Sequence, residues 1–147
     1  MKQLLWYLRA QAGQSMVELA LTLPIMVFGL LGGADLARAF ALQIAVENGS
    51  RAGAESFAID SSPTAAEAQL TTVNEINRTP TASARPGDVT VTKAQSDGVT
   101  TCISPPTIAT PCFVSVRVVY PWKTITAWPF VPNSGTFDRT TTMRTFY

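Results

Sequence analysis

The chain has 147 residues, a formal net charge of +1, two cysteines and no histidine. That length suits one small domain with an appendage. The near-neutral charge offers no basic field for nucleic acid, and the lack of histidine removes the commonest general base and transition-metal ligand. Hydrophobic residues make up 46% of the chain and charged residues only 14%, low in charge for an ordinary soluble domain.

Residues 1–13 form a short leader that carries Lys2 and Arg9 and no acid. Gln14-Ser15-Met16-Val17-Glu18 follows, and then an uncharged apolar block of 16 residues, Leu19 to Ala34. A basic flank before an apolar segment is the general export layout. A cleaved secretory signal is one reading of it. Against that reading, Ala34 is followed at once by Asp35 and the helical pattern continues. At ~1.5 Å per residue the block spans ~24 Å, slightly under the ~30 Å of a hydrocarbon core. The leader's charges favour a single membrane span, with residues 1–13 cytoplasmic and the C-terminal part outside. Glu18 either marks the membrane edge or, if the chain is cut after Gly13, lies one turn inside a new N-terminus. In the second case the Gln14 α-amino group of a neighbouring subunit can pair with it, since a carboxylate at the edge of an apolar span is costly alone.

From Asp35 to about Phe57 the pattern stays helical. Alanines are frequent, Leu36, Phe40 and Ile44 form an apolar stripe, and Glu47, Arg51 and Glu55 are spaced for i,i+4 ion pairs. A continuous helix from Gln14 to Phe57 would extend ~66 Å and act as a stalk, and Pro24 is tolerated inside a membrane helix. Gly29 and Gly33, and again Gly49 and Gly53, present small-residue faces at i,i+4 that suit close helix packing, although glycines are common in such helices in any case.

The remaining residues read as a small head. Thr64-Ala65-Ala66-Glu67 has the form of a capping box opening a helix to about Asn77. Strands are expected from Asp88 to Ala94, from Cys112 to Tyr120, where Val114, Val116, Val118 and Tyr120 share a face, and from Arg139 to Tyr147. In an exported head Cys102 and Cys112 pair and staple the loop between them. The alternative is two unpaired buried thiols, and a metal site lacks further ligands. Trp122, Trp128 and Phe130 fall in a proline-rich loop between Tyr120 and Phe137. They serve either as a protruding contact surface or as cover for a small core.

The stretch Gly13-Gln14-Ser15-Met16-Val17-Glu18-Leu19-Ala20-Leu21, with Leu23-Pro24, Gly33-Ala34-Asp35, Arg38 and the closing Asn48-Gly49-Ser50-Arg51-Ala52-Gly53-Ala54, resembles the TadE-like family, pseudopilins of bacterial Tad (Flp-type) pilus systems. The resemblance implies cleavage by a prepilin peptidase between Gly13 and Gln14, with Glu18 as the fifth mature residue. It also implies registration of subunits through Gln14 and Glu18. The implied partners are that peptidase, other pilins or pseudopilins, the pilus assembly platform and the cytoplasmic membrane.

The expected fold is therefore α+β: a cytoplasmic leader over 1–13, a transmembrane and stalk helix over 14–59, and an extracytoplasmic head over 60–147 with a short helix and a three- or four-stranded antiparallel sheet. No catalytic residues, metal or other cofactor, or nucleic-acid partner are expected. There is no phosphate-binding glycine loop, and the acids Asp88, Asp97 and Asp138 are scattered. The two function classes are a structural subunit in pilus assembly, with packing through Gly29 and Gly33, and a membrane-anchored binding or adhesion module working through the Trp122, Trp128 and Phe130 loop.

Overall fold

The computed structural model describes residues 2–59, 64–103, 106–129 and 131–145. Helix α1 (Lys2–Ile59) is followed by α2 (Ala65–Ile76), a 3-10 turn at Pro86–Asp88, and strands β1 (Val89–Gln95), β2 (Cys112–Lys123) and β3 (Ser134–Thr145). The three strands form one antiparallel sheet in the order β1-β2-β3. This is the α+β arrangement read from the sequence. The chain divides into two compact units, residues 1–37 and 38–147.

The first unit is helical throughout its described length, and leader and apolar block are continuous. Thr22 donates its hydroxyl to the Glu18 and Leu19 carbonyls at 2.9 and 3.3 Å. Such back-bonding is compatible with a helix that contains Pro24 two residues on.

In the second unit the helical residues 38–59 are part of the head itself, where the sequence suggested a stalk. Leu42, Ala45, Val46 and Ala54 are buried with Ile76 of α2 and with Val89, Val114, Val116, Val118 and Tyr120 of the sheet. Burying each valine is worth ~1.5–3 kcal/mol over leaving it in water. The buried face of 38–59 also carries Gly49, Ser50 and Gly53. The Ser50 hydroxyl lies 2.7 Å from that of Thr141 and ties the helix to β3. The stripe suggested by the sequence faces the other way: Phe40 and Ile44 are 57% and 59% exposed. Among the described residues, no ion pair joins Glu47 to Arg51 or Arg51 to Glu55.

The start of α2 is the capping box expected. Thr64 accepts from the Glu67 N–H at 3.3 Å, and the Glu67 carboxylate accepts from the Thr64 N–H at 2.6 Å. After α2 the Asn77 side chain accepts from Ala84 N–H (2.8 Å) and donates to Ala84 C=O (3.1 Å), closing the loop. The Tyr120 hydroxyl accepts from Ser83 N–H at 3.0 Å, so a core tyrosine has a partner for its oxygen. Gly98, at φ +74° in the turn after β1, adopts the left-handed backbone that glycine tolerates best.

Strands β2 and β3 are longer than the sequence suggested. β2 continues through Pro121, Trp122 and Lys123, and β3 begins at Ser134. The hydrogen-bond phase explains the tolerance of Pro121. Thr124 N–H donates to Asn133 C=O at 3.0 Å, so 124 and 133 form a hydrogen-bonded pair, and such pairs alternate along an antiparallel ladder. The β2–β3 register then makes even β2 residues and odd β3 residues the bonded partners. Pro121, opposite Thr136, falls at a position that needs no N–H toward β3, and β1 ends opposite Val118. The same phase directs the N–H and C=O of even β3 residues to the sheet's free edge.

Candidate functional site

Gly13, Gln14 and Glu18 lie on α1 within the first unit. The Gln14 amide donates to the Glu18 carboxylate at 3.2 Å across one turn. A Cβ built at Gly13 meets nothing within 4 Å. Glycine lowers helix stability by ~1 kcal/mol relative to alanine. Around and beyond Glu18 the large apolar side chains point outward. Met16, Leu21, Ile25 and Leu30 are 69–78% exposed, and the chain itself covers none of the helix's most apolar window. A surface this apolar requires lipid or other helices around it. Gly29 and Gly33 also have nothing within 4 Å of a built Cβ, so their small-residue face is free for a neighbour.

Gly49 and Gly53 differ. A Cβ on Gly49 would lie 2.4 Å from Ile76 Cγ1, and one on Gly53 would lie 1.9 Å from Thr72 Oγ1 and 3.1 Å from the Ala68 carbonyl. This second glycine pair is the seat of α2 on α1 inside the head. The spacing was visible in the sequence, but its partner was not.

Cys102 and Cys112 are disulfide-bonded, with Cα atoms 5.6 Å apart. Cys112 is buried at the first position of β2, so the bond anchors the preceding loop to the central strand. Cys102→Ala is expected to lower head stability by about 2–3 kcal/mol in the chain-entropy picture. Denaturant unfolding of the full chain with and without reductant checks this: reductant should shift the parent and leave the variant unmoved.

The aromatic residues do not form one surface. Trp122 is on β2 and half-buried, where the sequence placed it in a loop. It stacks on Phe137 at a centroid distance of 5.9 Å and covers Gly135 on the facing strand, where a Cβ would meet its indole nitrogen at 2.7 Å. An aromatic ring over a cross-strand glycine restores the packing that glycine lacks. Trp128 is in the loop, pinned by Asn133, whose amide oxygen accepts from Trp128 N–H at 2.6 Å and whose amide nitrogen donates to its carbonyl at 3.0 Å. Phe130 lies outside the described residues.

On the solvent face of the sheet Arg117 holds Asp138 with two hydrogen bonds, of 3.0 and 2.5 Å. That bonding keeps the Asp138 carboxyl below its usual range, helped by the charge of Arg117. Asp97 is also lowered, by the Thr100 hydroxyl and by backbone N–H groups in the turn after β1. Among the described residues, no group of three or more histidine, cysteine or acidic side chains is placed to hold a metal. Sequence reasoning missed the exposure of Phe40 and Ile44 and the long free edge of β3. The first needed knowledge of which helix face the head covers, and the second needed the strand order.

An apolar N-terminal helix long enough to cross a membrane, leading into a small α+β unit, defines the class: a helix-anchored protein with a compact head. Residues 13–55 match the family model described as TadE-like protein, the segment that carries the Gly13, Gln14 and Glu18 motif and the closing glycine cluster. The match covers under a third of the chain, leaves most of the head outside it, and points to a Tad pilus-associated protein. No curated protein and no solved structure matches the chain.

Proposed function

We propose that this protein is a TadE-like pseudopilin or minor pilin that acts structurally in assembling a Tad (Flp-type) pilus. The observation that carries the reading is the exposed apolar surface of α1 over residues 16–31, with the Gln14–Glu18 pair at its start and the match over 13–55. In this reading the prepilin peptidase cuts after Gly13 and the cytoplasmic membrane holds the apolar helix with the head outside. Other pilins or pseudopilins and the assembly platform pack against the helix at Gly29 and Gly33. The chain is not an enzyme: its work is packing and registration. The competing reading, an anchored binding module, draws on Trp128 at the exposed loop. It is weakened because Trp122 is spent on packing against Phe137.

The test is the N-terminus and intact mass of the chain isolated from its native membrane. A mature chain starting at Gln14 is the expected result, and Gly13→Asp is expected to leave the full-length form, because a side chain at that position does not fit a peptidase that takes glycine. A parent chain that keeps Met1, or a Gly13→Asp chain cut normally, refutes the assignment.

A further inference from the structure

The two edges of the sheet are treated differently. β1 is 7 residues long, and its free edge is taken at both ends. The Gln69 side chain donates to Val89 C=O at 3.0 Å, while Gln95 N–H donates to Thr100 C=O and Gln95 C=O accepts from Gly98 N–H, both at 2.9 Å. β3 is 12 residues long, without proline or lysine, and by the ladder phase the N–H and C=O of Thr136, Asp138, Thr140 and Thr142 point to its free edge. Among the described residues, none of these backbone groups has a hydrogen-bond partner. Natural sheets cover, shorten or bulge such an edge unless it pairs with another chain.

Beside this edge lies an open cleft of about 550 Å³ between β3 and residues 47–51 of α1, lined by Glu47, Ser50, Arg51, Arg139 and Thr141 among others. Among the described residues, neither Arg51 nor Arg139 has an ion-pair partner within 4.0 Å, so the cleft carries two cations against one acid, Glu47. We infer that the β3 edge takes an added strand: an extended segment of a different polypeptide that carries an acidic side chain where it faces Arg51 and Arg139. Main-chain hydrogen bonds supply the affinity and the cleft reads alternate side chains. Arg139, pointing under the edge, repels an apolar or basic strand and admits an acidic one. The β3 strand of a second copy fits poorly, because its one acid, Asp138, is already held by Arg117. This inference rests on the head alone and not on the pilus reading: a mature start at Gln14 can be found with or without an added strand.

The experiment places a photo-crosslinking residue at Thr140 of the full chain in its native membrane and maps the adduct by mass spectrometry. The expected adduct joins Thr140 to an acid-bearing extended segment of another protein. It is lost in Thr142→Pro, which removes an edge N–H and no β2–β3 backbone bond, giving up only the exposed hydroxyl contact with Ser115, and it is diminished in Arg139→Glu. Purified Thr142→Pro, which loses only an exposed hydroxyl contact, still unfolds cooperatively near the parent temperature, whereas Thr141→Pro, which removes a β2–β3 backbone bond, lowers it further. No adduct, an adduct to β3 of a second copy, or an adduct that survives Thr142→Pro in a folded chain overturns the proposal.

Discussion

Gly53→Val is expected to leave the head largely unfolded, and Gly53→Ala to destabilise it by at least the ~1–3 kcal/mol typical of overpacking a tight contact. The first added atom already meets Thr72 Oγ1 at 1.9 Å, far inside contact distance. Thr72 cannot step aside. Its side chain is fully buried, is β-branched and therefore stiff at χ1, and donates to the Ala68 carbonyl at 2.8 Å. Relief must come from moving α2 as a body, which opens the cluster of Ile76 with Val46 and Val114. Against a total stability of ~5–15 kcal/mol for a domain, alanine should be survivable and valine, with two further methyls, should not.

Thermal unfolding of the full chain in detergent, followed by circular dichroism, reads both variants. Two comparisons separate a packing clash from a general loss of helix. Gly29→Ala and Gly33→Ala put the same methyl where nothing lies within 4 Å; alanine is the better helix former there, so the head's unfolding temperature should not fall. Combining Gly53→Ala with Thr72→Ala removes the hydroxyl that clashes and should recover part of the loss. If Gly53→Val melts with the parent, the helix contact described here is wrong.

Much of this architecture was legible because its signals are local. The Thr64–Glu67 box marks a helix start whatever surrounds it, and the alternation from Cys112 to Tyr120 reads as a strand with one buried face, as found. The misreadings came from features decided by distant partners. Pro121 looked like the end of a strand, but its missing N–H falls where neither neighbour requires one. Trp122 looked like a loop aromatic because its glycine partner, Gly135, is 13 residues away in sequence. Phe40 and Ile44 form an apolar stripe in the sequence that the structure leaves exposed. α2 instead sits on Gly49 and Gly53, beside the buried Leu42 and Val46 of the same helix face. For the N-terminal site, residue types and spacing were visible at once. The use proposed for them would depend on a peptidase and neighbouring subunits, which lie beyond what a single chain encodes in its own contacts.

Glu18→Ala is expected to be cleaved and inserted like the parent and yet be absent from the sheared surface fraction. In the uncut chain Glu18 has a neutral partner, the Gln14 amide at 3.2 Å. In the proposed reading, cleavage after Gly13 would place a positive α-amino group on Gln14 and leave Glu18 one turn away at the head of an apolar helix. A lone carboxylate in hydrocarbon costs on the order of 2.5–3.5 kcal/mol even on the gentler scales. A subunit docked alongside relieves that cost when its own α-amino group reaches Glu18, and the relief depends on axial register, because apolar side chains alone allow many alignments. Removing the carboxylate therefore makes membrane residence cheaper and registration weaker. Glu18→Gln separates the two roles of the side chain: it keeps a hydrogen-bonding amide of the same length and loses the charge. Immunoblots of membrane and sheared fractions should show the mature form of both variants in the membrane and neither on the surface. Glu18→Gln reaching the surface would show that shape and hydrogen bonding suffice without charge, and Glu18→Ala reaching it at the parent level would remove Glu18 from assembly altogether.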